Sequence, residues 1–164
     1  MGTVLAGLTH VSWSDLHDAQ GSARGVPALL SKVAWADRDT ASIALDELGD
    51  RVCELGFVLS EATAPTVPFL LELAGAPRVQ CKAELLELLT RIFAAEQWRA
   101  VADAAGSEYK KGYEEQVGWE ADSHAAVFSG RGVVEGLAAS VDPAVAEAAQ
   151  TLLRVLDDRR RRER

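Results

Sequence analysis

The stretch Glu61-Ala62-Thr63-Ala64-Pro65-Thr66-Val67-Pro68-Phe69-Leu70-Leu71-Glu72-Leu73 constrains this chain most, because it sets two prolines just ahead of a dense apolar run. Proline has a fixed φ and no N–H, so it suits the first turn of a helix and not its interior. Pro65 and Pro68 therefore mark a helix start, and Phe69, Leu70 and Leu73 give that helix an apolar stripe. The same punctuation recurs near Pro27 and Pro143. Short helices punctuated in this way predict an all-α fold.

Composition agrees. Hydrophobic residues make up 48% of the 164, enough for a continuous core, while aromatics are only 6%. The apolar content is mostly Ala, Leu and Val, which favours helices over β-sandwiches. The apolar runs are far shorter than a membrane span. The first ten residues hold neither a basic region nor a long apolar one, so a cytoplasmic protein is expected. The formal charge is −8; without the six-residue tail Arg159 to Arg164, five arginines and one glutamate, it becomes about −12. Such a body repels phosphate backbones and suits a basic protein partner. The expected organisation is a single helical-repeat domain over 1–158 and an Arg-rich tail over 159–164.

Helices are expected at 12–19, Val26 to Trp35, 39–55, from Pro65/Pro68 to Gly75, 79–95, Gln97 to Ala105, from Ser123, Arg131 to Ser140, and from Pro143 into the tail. Over 39–55, residues placed about 100° apart put Ala41, Ala44, Leu45, Leu48, Val52 and Leu55 in one sector. Asp39, Asp46, Glu47, Asp50 and Glu54 share the opposite sector, with Ile43 among them. Gly56 is read as the end of that helix. Residues 106–123 are polar and glycine-interrupted, and read as a long inter-repeat loop with room for some helix.

Internal repetition points to stacked helix pairs. Asp37-Arg38-Asp39-Thr40-Ala41…Ala44…Leu48 parallels Asp142-Pro143-Ala144-Val145-Ala146…Ala149…Leu153, and each follows a Val-x-x-x-Leu helix, Val26 to Leu30 and Val133 to Leu137. Helix pairs repeating at roughly 35–45 residues mark α-hairpin solenoids. The expected architecture is a short HEAT-like α-α superhelix of about three to four helix pairs, against an irregular helical bundle as the alternative. Over 13–73 the chain also resembles a family of uncharacterised HEAT-like proteins of actinobacteria. The resemblance runs through Trp13…Leu16-His17…Gly21-Ser22-Ala23…Val26-Pro27-Ala28-Leu29-Leu30, then Ala44-Leu45…Leu48, then Ala62-Thr63-Ala64-Pro65…Val67-Pro68-Phe69-Leu70. That family carries His-Ala-Tyr-Gly at Asp18-Ala19-Gln20-Gly21 and His-Gln-Gly at Glu54-Leu55-Gly56, so the polar and aromatic residues of those motifs are replaced here. The resemblance implies an α-α solenoid in a bacterial cytosol and brings no activity with it.

No nucleotide, hydrolase or metalloprotease motif is present. His10, His17 and His124 lie far apart, and Cys53 and Cys81 sit in helix-like segments without a CxxC. Both cysteines are expected to be reduced, and no catalytic residue, metal or cofactor is assigned. The candidate binding residues are Asp39, Ile43, Asp46, Glu47, Asp50 and Glu54 on the acidic stripe. Tyr109, Tyr113 and Trp119 join them as recognition residues or as satellite packing. Like charges at i,i+4 destabilise a helix by a few tenths of a kcal/mol per pair, so an acidic stripe without basic partners carries a cost. An apolar residue ringed by carboxylates fits a binding centre with a charged rim; a merely solvated face is the bland reading. The arginine tail is expected to be a frayed, solvated end, with Asp157/Arg161 and Asp158/Arg162 spaced to pair at i,i+4 if part of it extends the last helix. The expected function is a non-catalytic protein-binding scaffold, in one form an immunity or antitoxin-like protein that neutralises a basic effector. The alternative is a DNA-acting HEAT-like enzyme of the glycosylase kind, or an accessory subunit of a larger enzyme.

Overall fold

The computed structural model describes residues 4–163, so the first three residues of the expected domain and Arg164 of the expected tail lie outside the description. The described chain is all-α apart from two ladders of two-residue strands. Helix α1 spans Val26–Trp35, with Pro27 in its first turn. Helix α2 spans Arg38–Val52 and is capped by Asp37, whose side chain accepts the N–H of Thr40 at 2.9 Å. That bond holds the Asp37 carboxyl below its ordinary pKa. Helix α3 spans Thr63–Gly75 and α4 spans Lys82–Ala94. Helices α5 (Gln97–Ala104), α6 (Glu114–Ser129), α7 (Arg131–Leu137) and α8 (Pro143–Arg162) complete the chain. Asp142 caps α8 as Asp37 caps α2, through the N–H of Ala144 at 3.0 Å.

The periodicity of α4 sets the centre of the core. Leu85, Leu86, Leu88, Leu89, Ile92 and Phe93 are all buried, too wide a stripe for a helix with one covered face. Helix α4 accordingly packs on α2, α3, α6 and α8. Helix α3 packs on α1, α4, α6 and α7, and α1 and α2 pack on each other, as do α7 and α8. Leu48 of α2 is sealed in the same cluster, with Leu86 and Leu89.

The short strands tie helix ends together. Strands β1 (His17–Asp18) and β2 (Gly21–Ser22) pair antiparallel, as do β3 (Cys53–Glu54) and β4 (Val58–Leu59). The first hairpin rests on the end of α2. Ala19 N–H donates to the Arg51 carbonyl at 2.9 Å, and Arg51 Nη1 donates to Asp18 Oδ2 at 3.0 Å, with the Asp18 side chain fully buried. A buried carboxylate needs such a partner.

Four expectations are corrected. Residues 12–19 are not a helix; a 3-10 turn at Trp13–Asp15 leads into β1, because Asp18 is drawn to Arg51 and Gly21 takes a φ of 129°. Residues 106–123 are not a long loop, since α6 already begins at Glu114. Gly118 costs about 1 kcal/mol there, and packing of Glu120, Ser123 and Val127 into the interior outweighs it. Helix α2 stops at Val52, three residues short of the expected end, so Cys53 and Glu54 stand on β3 and Gly56 lies in the turn that follows. Pro68 falls inside α3 rather than at its start, with its ring on the exposed side. Cys53 and Cys81 are free thiols and both are buried. Burial pushes the Cys53 thiol up to about 11, which keeps it protonated.

Candidate functional site

The acidic face is assembled much as its spacing predicts. Asp39, Asp46, Glu47 and Asp50 are exposed along α2, with Ile43 among them at 67% exposure. Glu54 has left the helix but remains exposed on β3. None of these five carboxylates has an ion-pair partner among the described residues.

The β3–β4 turn extends this face with residues that sequence reasoning had missed. Leu55 and Phe57 are 77% and 45% exposed. Leu55 and Gly56 both have positive φ, 58° and 87°, and Phe57 N–H closes the turn on the Glu54 carbonyl at 3.1 Å. Two successive positive φ values belong to the primed hairpin turns, which fit the twist of the flanking strands. A leucine in that conformation costs roughly 1–2 kcal/mol. The chain thus holds an apolar side chain in solvent on a strained backbone just past the end of the acidic face of α2. The signal in sequence was Leu-Gly-Phe directly after the acidic run, which helix-ending grammar absorbed.

The three aromatic candidates separate. Tyr109 is 67% exposed, ahead of a 3-10 turn at Lys110–Tyr113. Tyr113 and Trp119 are half-buried and flank Trp98, each with ring centroids 6.3 Å away, Trp119 edge-on. Trp98 is the hub: its Nε1–H donates to the Leu59 carbonyl on β4 at 2.8 Å. Tyr113 and Trp119 therefore serve packing and fix α5 and α6 behind the β3–β4 hairpin. Below them Glu120, almost fully buried, accepts the N–H groups of Trp98 at 2.8 Å and Arg99 at 3.0 Å. Its carboxylate satisfies two of the unpaired donors of the α5 N-terminus. Burial raises its pKa, and the two backbone bonds oppose that shift.

A second arrangement lies where the end of α8 meets α4 and α6. His124 Nε2 lies 2.9 Å from the Ala95 carbonyl, and Nδ1 lies 2.6 Å from Arg159 Nη1. A carbonyl only accepts and a guanidinium only donates, so the proton resides on Nε2. Burial, with Arg159 adding to it, lowers the His124 pKa to about 4, which keeps the ring neutral. Arg159 also donates to Glu96 at 2.9 Å and lies 4.5 Å from the centre of the Phe93 ring. The frayed tail expected from Arg159 is corrected: α8 continues to Arg162 without a break at 158, and Arg159 is fastened to the body. The i,i+4 pairing expected of Asp157 with Arg161 gives way to Arg131, 2.8 Å from Asp157. His17, by contrast, is exposed beside Glu61.

Among the described residues, no group of three or more His, Cys, Asp or Glu side chains is gathered closely enough to hold a metal ion, and no helix is long and apolar enough to cross a membrane. The chain matches no protein-family model, no curated protein and no solved structure.

Proposed function

We propose that this protein is a non-catalytic protein-binding scaffold that takes a basic partner on the α2 face. The observation that carries the reading is the exposure of Ile43, Leu55 and Phe57 along the same stretch as exposed Asp46, Glu47, Asp50 and Glu54, none of which has an ion-pair partner among the described residues. Apolar side chains supply affinity once desolvated, and surrounding charges steer the encounter and reject partners of the wrong sign. An immunity or antitoxin-like role, in which the acidic face covers a cationic effector, is one form of this activity. The scaffold reading extends to architecture. Helices α1, α3 and α6/α7 touch in succession, as do α2, α4 and α8, and that order supports a short HEAT-like superhelix.

The test is capture from the native host at low salt, followed by kinetics with the captured protein. Replacing Asp46, Asp50 and Glu54 together by Lys should lower the association rate, most strongly at low ionic strength. Ile43→Ala and Leu55→Ala should act on dissociation instead. Stability of the triple variant should hold or rise, because like-charge repulsion along α2 is relieved. Undiminished capture by the triple Lys variant would overturn the proposal.

A further inference from the structure

The α8 end of the molecule has the opposite character to the α2 face. A cleft of about 720 Å³ opens between the end of α4, the start of α5, α6 and the last turn of α8. Its apolar lining includes Phe93, Val117 and Phe128, the last 41% exposed, and its charged lining includes Arg99, Arg160 and Arg162. These three arginines have no ion-pair partner among the described residues. Of the acidic groups that line the cleft, Glu96 is engaged with Arg159 and Glu120 with the α5 amides, and Glu163 stands exposed at the end of α8.

Two features set this cleft apart from an ordinary solvated helix end. Arginines at the α8 C-terminus complement the helix dipole and need no other reason. Arg99 sits in the first turn of α5, where the Glu120 carboxylate offsets the dipole's repulsion of a cation, and it lines the same cleft as the α8 arginines. The base between the walls is also prearranged. Arg159 is pinned by Phe93, His124 and Glu96, so the α8 wall does not have to be ordered when a ligand arrives.

We propose that this cleft binds an acidic peptide segment that carries an apolar side chain. Carboxylates of the segment pair with Arg99 on one wall and Arg160 on the other, and its apolar residue lies against Phe128. Guanidinium groups match carboxylates in geometry. The occupant is a short peptide rather than a long polyanion because exposed Phe128 offers an apolar contact inside the cleft, and an extended phosphate backbone would run beyond the arginines onto a chain that carries −8 overall. The proposal stands on a different face from the basic-partner reading and does not depend on it.

The experiment uses the full chain and a fluorescein-labelled glutamate-rich peptide with one central phenylalanine, followed by anisotropy at low salt. Saturable binding is expected, weaker for the peptide with Ala in place of Phe. Arg99→Glu with Arg160→Glu should weaken binding about tenfold or more. Arg24→Glu with Arg154→Glu, the same charge change outside the cleft, should leave it nearly unchanged. Melting curves establish that each variant folds; if the Glu pair does not, Arg99→Gln with Arg160→Gln should show the same loss. Absence of saturable binding, or equal losses in the two double variants, would overturn the proposal. So would tighter binding of a labelled oligothymidylate, which marks a nucleic-acid face, or full displacement by millimolar inorganic phosphate, which marks a small-anion site.

Discussion

His124 Nδ1 accepts a hydrogen bond from Arg159 Nη1 at 2.6 Å, across 35 positions of sequence, and the bond exists only while the imidazole is neutral. A proton on Nδ1 would set one donor against another beside a fixed cation, in a site with little water to screen them. The pair joins the middle of α6 to the last turn of α8.

Stability should therefore fall with acid in a defined window. The His124 pKa is about 4 in the fold, against an ordinary 6.5. The unfolded chain binds the proton first, so this contribution is complete above pH 6.5 and is lost as the pH drops toward 4. The slope attributable to this group approaches about 1.4 kcal/mol per pH unit at its steepest. Urea unfolding at stepped pH, compared with His124→Gln, isolates it. Gln keeps a donor and an acceptor but does not titrate, so the two curves should converge as the pH falls; parallel curves would refute the assignment.

Glu120 should behave as a remote helix cap. Glu120→Ala removes the acceptor for the N–H groups of Trp98 and Arg99 and should cost about 1–3 kcal/mol. Glu120→Gln retains one acceptor oxygen and should cost less. Thermal melts give the ranking, and tryptophan emission reports whether Trp98 has moved. Equal effects of the two substitutions would argue against the capping role.

Gly130 marks the closest approach between the α6–α7 junction and α3. A Cβ placed on Gly130 would lie 2.3 Å from Leu71 Cδ1 and 2.8 Å from its Cγ. Gly130→Ala should therefore destabilise by about 1–3 kcal/mol through overpacking. Leu71→Ala in the same chain should recover part of that loss, because it removes the colliding atoms. Chemical denaturation of the two single variants and the double provides the cycle. Additive losses would show that the two sites do not collide.

Local rules carried far along this chain. Asp37 and Asp142 cap their helices through their own side chains, and Val26–Trp35 is the helix its proline and apolar spacing predict. The exposure of Ile43 followed from periodicity alone, since buried Ala44, Leu45 and Leu48 fix the opposite sector of α2 to the core. The misses share a cause. Sequence reading saw glycines and polar residues over 106–123 and inferred a loop, but Glu120 is drawn inside by the amides of α5 and carries α6 with it. Spacing put Leu55 in the apolar sector of α2, but the helix ends at Val52 and the turn between β3 and β4 holds Leu55 in solvent.

The sequence by itself determined the all-α character, most helix positions, the core stripe of α4 and the acidic face of α2. Each depends on residues within a turn or two of one another, where spacing and capping chemistry decide. Tertiary structure alone decided the Asp18–Arg51 pair, the Trp98 hub, the Glu120 cap and the His124–Arg159 contact. Every hydrogen-bond partner in that group is more than 20 residues away. Each of those polar groups is committed by burial, where an unmet donor or acceptor is costly, and which partner meets it depends on how the helices stack.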